Sequence, residues 1–121
     1  MHLINQRTLR RILDAPIEKE HPMIVTVFRS RLAAETQSEY AQWAKRMSQL
    51  AATMPGYISH KLFVAQDGER LMLIEFESEE GMRAWSVHPE HVQAKKLGRQ
   101  RFFAEYRVQV CNVVRDSNAK R

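Results

Sequence analysis

The sequence predicts an α+β protein built on a ferredoxin-like βαββαβ unit, an antiparallel sheet with both helices on one face. Three observations predict it. The hydrophobic pattern runs in the order strand, long helix, two strands, interrupted helix, strand. Asp67-Gly68 is a strong two-residue turn signal that makes the two middle strands a hairpin. The strands are also apolar on both faces, with Val25 and Val27 against Ile24 and Phe28, and Val108 and Val110 against Phe103 and Cys111. Helices on one face leave the other uncovered, and the chain has no spare element to cover it. A homodimer packed sheet to sheet is the expected solution.

Residues 1–21 read as an N-terminal extension: Ile4, Leu9, Ile12 and Leu13 fall roughly on one face of a short helix that Pro16 ends. "MIVTVFR", residues 23–29, is rich in β-branched and aromatic residues and predicts the first strand. Thr36 and Glu39 have the spacing of a capping box, and Tyr40, Trp43, Ala44, Met47, Leu50, Ala51 and Met54 recur at helical intervals until Pro55-Gly56 stops them. Strands are predicted at 57–66 and 70–77 around a type I′ turn. Ser78 is the expected N-cap of a second helix through Trp85, and Pro89 suits the first turn of a third helix that Gly98 ends. "FFAEYRVQVCNVV" is the last strand, and residues 115–121 form a polar tail. The domain is expected to span 22–114.

A chain of 121 residues supports one core. Its 44% hydrophobic and 27% charged content is that of a globular protein rather than a disordered one. No apolar run reaches bilayer-spanning length and the first twenty residues lack the apolar stretch of a secretion signal, so a cytoplasmic location without membrane contact is expected. The single cysteine, Cys111, agrees with a reducing compartment. The net charge of +5 is spread along the chain and partly matched by Glu. Even the densest cluster, "KKLGRQR" at 95–101, lacks interleaved aromatics before Phe102, so nucleic acid is not the expected partner. An anionic small molecule accounts for the charge equally well.

The segments "MPGYISHKLFVAQDGERLMLIEFESEEGMRAW", "HPEH" and "GRQRFFAEYRVQVC", taken in that order and spacing, resemble the antibiotic biosynthesis monooxygenase family of the dimeric α+β barrel superfamily, over about Met23 to Asn112. The resemblance implies a dimer whose sheets close into an α+β barrel, with a pocket in each protomer between sheet and helices. Several members oxidise aromatic polyketides or quinols with O2 and without flavin, metal or haem; others degrade haem, isomerise, or have no known activity.

The resemblance places Trp85 at a pocket position and implies a second pocket His after a short break. "HPEH" carries one extra residue, so the resemblance implies His91 as that residue, with His88 as the alternative. A His titrating near neutrality is suited to deprotonate a phenol or hydroquinone so that its anion passes an electron to O2. An indole adds a flat wall and an N–H donor. Arg29 is the cation expected to stabilise a phenolate or reduced oxygen species. His60 shares a strand face with Ile58 and Leu62, and Phe28, Tyr57 and Tyr106 are further aromatics within reach of a ligand. Structural alternatives exist for each: Trp85 as core, His88 as a helix cap, His91 as a solvated ring, His60 as a satisfied core residue and the strand aromatics as packing.

Haem degradation is disfavoured, since the pattern of that branch puts Asn where Phe28 stands and its iron-ligating His where Lys95 stands. No metal site is expected, because His88 and His91 with Glu90 or Glu105 lack a third ligand at defined spacing. Ser59 and Ser86 have no Gly-rich elbow, and Cys111 lies mid-strand. The expected activity is a cofactor-independent monooxygenase acting on an aromatic, polyketide-like or quinol substrate. The alternatives are a non-enzymatic ligand-binding dimer, with the N-terminal helix as contact surface, and a cofactor-free isomerase.

Overall fold

In the computed structural model, which describes residues 5–7 and 23–120, the elements follow the expected order. They are β1 (Ile24–Leu32), α1 (Gln37–Ala51), β2 (Tyr57–Val64), β3 (Arg70–Phe76), α2 (Glu79–Ser86), α3 (Pro89–Leu97), a π-helical turn at Gly98–Phe102 and β4 (Phe103–Asn112). The sheet is antiparallel in the order β2-β3-β1-β4, the ferredoxin-like arrangement, with the helices over the face that bears Thr26 and Phe28. The helix expected within residues 1–21 lies outside the described residues, apart from 5–7, which are exposed. Among the described residues no helix is long and apolar enough to cross a membrane.

Local chemistry departs from expectation in three places. Thr36 does stand at the N-cap of α1, but its hydroxyl donates to the Ala33 carbonyl at 2.9 Å and no side-chain cap bond forms. Glu39 cannot close a capping box because its carboxylate receives Arg101 at 2.7 Å, which ties α1 to the π turn instead. The β2-β3 hairpin forms without a type I′ turn: Gly68 alone takes a positive φ, at 89°, while Asp67 does not. Gly68 N–H donates to Ala65 O at 3.0 Å and Ala65 N–H to Glu69 O at 2.8 Å, which makes a three-residue loop closed by the glycine. Third, Gly98 caps the end of α3 as expected, but not in the left-handed conformation common at helix ends. Gly98 has φ −56° and passes directly into the π turn.

Ser78 caps α2 as expected, its Oγ accepting from Gly81 N–H at 3.2 Å, and Pro89 opens α3. Among the described residues the buried apolar set is small: Ile24, Ala51, Phe76, Trp85 and Phe102. The reason is architectural. The apolar stripe of α1 does not close down on the sheet but roofs a cavity between them, lined by Tyr40, Trp43, Ala44, Met47 and Ala51.

Cross-strand register and alternation place Val25, Val27, Leu71, Leu73 and Phe63 next to one another on the opposite sheet face, flanked there by Arg29, Lys61 and Glu75. On β4 that face carries Glu105, Arg107, Gln109 and Cys111, while Val108 and Val110 turn toward the cavity.

Two bulges shape the helix-covered face. Pairing slips between Tyr57 and Ser59 on β2, and between the Arg31–Glu105 and Leu32–Phe103 pairs on β4. Each slip inserts one residue, so Tyr57 joins His60, and Phe103 joins Tyr106, on that face despite a spacing of three.

Candidate functional site

The cavity has a volume of about 340 Å³, within the range of a small-molecule site. Its sheet wall is Thr26, Phe28, Met72, Ile74, Tyr106 and the ends of β4, and its helical wall comes from α1, Met82, Trp85 and α3. One side is aromatic throughout. Phe28 and Phe103 meet edge to face at 5.1 Å, Tyr40 packs edge to face on both Phe102 and Phe103 at 5.7 and 5.6 Å, and Tyr106 lies 6.0 Å from Phe103.

Gly98 is held small by this wall. A Cβ there would lie 2.5 Å from Cε2 of Phe103, and the ring is confined by Phe28 and Tyr40. Gly98→Ala is therefore expected to drive Phe103 out of place, at a cost of about 1–3 kcal/mol. Urea unfolding measures it; an unchanged midpoint would mean that the ring yields freely.

Trp85 sits at the far end of α2, 4% exposed, packed with Ala51 and Phe76. His91 stacks on the indole, ring centroids 4.0 Å apart and planes 11° from parallel. The break at Ser86–His88 allows this, because it turns α3 back so that a residue six positions later overlies the indole. His91 Nδ1 lies 3.0 Å from the Trp85 carbonyl oxygen. A carbonyl only accepts, so Nδ1 carries the proton and Nε2 is left as a lone-pair acceptor. Burial, with Lys95 and His88 nearby, pushes the His91 pKa down to about 4. The imidazole is neutral at pH 7, which corrects the expectation of a ring titrating near neutrality. The indole Nε1 is buried without a hydrogen-bond partner among the described residues.

His60 also lines the cavity, from β2, and shares a hydrogen bond through Nδ1 with the Tyr57 hydroxyl. The β2 bulge is what brings those two rings to the same face. Phe28 and Tyr106 line the cavity as well.

Two expected pocket residues are elsewhere. Alternation on β1 turns Arg29 to the face opposite Phe28, where its guanidinium donates to Glu69 at 2.8 Å. His88 is the N-cap of α3, its Nδ1 accepting from Glu90 N–H at 3.2 Å, and it is absent from the cavity lining. Arg46 binds the Glu90 carboxylate through two bonds of 2.8 Å and fastens α3 to α1.

The cations that do line the cavity are Lys95 and Arg99. In the sequence Lys95 stood out as a missing haem ligand and as the start of the basic cluster at 95–101, yet a sharper signal was present: His91, Lys95 and Arg99 recur every four residues and so share a helix face. Lys95 Nζ donates to Ser86 O at 2.7 Å and Ser86 Oγ at 3.1 Å. Among the described residues no group of three or more His, Cys, Asp or Glu is placed to hold a metal ion.

The fold is of the ferredoxin-like α+β class, and between the antiparallel sheet and its helices it holds an apolar, aromatic-walled cavity with an imidazole stacked on an indole. Its family is also clear. The chain belongs to the antibiotic biosynthesis monooxygenase family, whose model matches residues 23–97. It is 31% identical over 96 residues to the uncharacterized protein YqjZ of Bacillus subtilis, covering 79% of this chain and 83% of that protein. The solved structure of Rv0793 from Mycobacterium tuberculosis superposes with a TM-score of 0.71 at 13% identity, covering 79% of this chain and 99% of that one. SnoaB, a cofactor-independent oxygenase from Streptomyces nogalater, superposes with a TM-score of 0.67 at 13% identity, covering 78% and 96%. At these identities the structural likeness is one of fold.

Proposed function

We propose that the protein is a cofactor-independent monooxygenase that oxidises a hydroxylated aromatic or quinol with O2 in this cavity, working as a homodimer. The observation that supports it most is the neutral His91, stacked on Trp85 with Nε2 unprotonated, in an apolar chamber. Nε2 accepts the hydrogen of a substrate hydroxyl and fixes the ring against the aromatic wall. A conjugate acid with a pKa of about 4 does not store the proton. Proton and electron therefore pass from the phenol to O2, and the substrate and oxygen radicals join as a ring hydroperoxide. For a phenol whose keto tautomer carries a ring CH2, cleavage of the O–O bond with loss of the remaining hydrogen gives a ring carbonyl and water. CH2 plus O2 becomes C=O plus H2O, and all four electrons come from the substrate.

His60, hydrogen-bonded to Tyr57, is a second group for the substrate's polar edge, and Phe28 and Tyr106 flank its flat face. The apolar group of Val25, Val27, Leu71, Leu73 and Phe63 supports the homodimer, since a second copy would cover it.

Oxygen uptake against a panel of hydroquinones, naphthols and polycyclic phenols, with and without chelator, tests the reaction. Uptake proportional to protein, surviving chelation and lowered about tenfold in His91→Ala, which removes the acceptor at Nε2, is the expected result. Silence across the panel from folded protein would overturn the oxygenase reading, turnover without O2 would make it an isomerase, and an unchanged rate in the variant would remove His91 from the chemistry.

A further inference from the structure

One end of the cavity is cationic and lacks a counter-charge among the described residues. Lys95 in α3 and Arg99 in the π turn, four residues apart, both line it. The lysine's hydrogen-bond partners are the carbonyl and hydroxyl of Ser86, both neutral. Arg99, like Arg70 and Arg107, forms no ion pair among the described residues, but of these three it alone lines the cavity. Two neighbouring cations at the edge of a low-dielectric chamber repel one another, Lys95 also loses hydration through burial, and an anion between them offsets both costs. The lowered pKa of Lys95, caused by burial and then by Arg99, reflects the same deficit.

We propose that Lys95 and Arg99 form an anion anchor that selects substrates bearing a carboxylate on the aromatic body, with the reacting hydroxyl directed to His91. The proposal rests on the reading of the cavity as a substrate site and adds the substrate's class. A carboxylate fits better than a phenolate because it offers two oxygens to two donors, and a guanidinium fork takes such a group in two parallel bonds. The remaining wall suits the rest of such a molecule: flat, apolar and aromatic. The anchor also sets direction, since α3 places His91 one turn before Lys95. A carboxylate close to a hydroxyl on a fused ring spans the two.

Isothermal titration of the full-length protein with 3-hydroxy-2-naphthoate, its methyl ester and 2-naphthol tests this, since the three differ in the charged group and share the ring and hydroxyl. The acid is expected to bind at least tenfold more tightly than either neutral probe, with the preference shrinking as salt rises. The Lys95→Gln/Arg99→Gln double variant is expected to erase the preference while still binding 2-naphthol, and Lys95→Arg and Arg99→Lys to keep it. Arg99 is exposed, so Arg99→Gln alone remains readable if the double variant unfolds, and it is expected to remove most of the preference. Equal binding of acid and ester, or a preference that survives the neutral variants, would overturn the anchor and leave the cavity reading standing. Failure of all three probes to bind would overturn the cavity reading and the anchor with it.

Discussion

Trp85→Ala is expected to destabilise the protein by about 3–5 kcal/mol, the range for removing a buried aromatic and leaving a cavity. The indole is 4% exposed and belongs to the same buried cluster as Ala51 and Phe76, with Met47, Leu50, Ile74 and Met82 packed against that cluster. It also supports the ring of His91. The loss would be a large fraction of a domain's total stability. Trp85→Phe separates the two roles: it retains most of the buried area and is expected to cost much less stability. The smaller ring offers less surface to the imidazole, so ligand affinity should fall more than stability does. Urea unfolding followed by circular dichroism reads the first effect and calorimetric titration the second. A loss below about 1 kcal/mol for the alanine variant would show that the indole is not part of the packed core.

The second large effect is a pH dependence of stability centred on His91. Its pKa is about 4 in the folded chain against 6.5 for an ordinary imidazole, so between those values the unfolded state binds more protons than the folded one. Stability therefore stands at its full value above about pH 6.5 and falls as the pH drops toward 4. At pH 4 the loss amounts to about 3 kcal/mol. Asp67 and Glu90, held low by Arg31 and Arg46, add their losses below their ordinary carboxylate range, in a more acidic window. The slope between pH 6.5 and 5 thus isolates the histidine. His91→Gln is expected to flatten that part of the profile; a variant that tracks the wild type across it would show that His91 is solvated and titrates normally.

Much of the fold was legible because its signals are local. The alternation of "MIVTVFR", the helical stripe from Tyr40 to Ala51 and the Ser78 and Pro89 start signals each depend on a few neighbouring residues, and each element forms close to where they place it. Where a local rule failed, a distant residue intervened. The capping box at Thr36 gave way to Arg101, which lies 62 positions from Glu39. The glycine at 98 does stand at the end of α3, but what requires it to be small is the ring of Phe103.

The site was legible only in part. Trp85, His91, His60, Phe28 and Tyr106 all line the cavity, and the ambiguity between His88 and His91 is resolved by geometry, since one caps α3 and the other stacks on the indole. Arg29 falls outside the cavity because the face of a strand follows from its register, which pairs residues dozens of positions apart.

By itself, then, the sequence determined the order and type of elements and the residue types available to the cavity, since periodicity and turn chemistry act over short spans. Tertiary structure decided which side chains meet. The bulges on β2 and β4 turned Tyr57 and Phe103 inward, the kink after Ser86 laid His91 on Trp85, and burial there set the protonation state of the imidazole. Those outcomes depend on register, crossing geometry and local dielectric, quantities that exist only once distant segments are packed together.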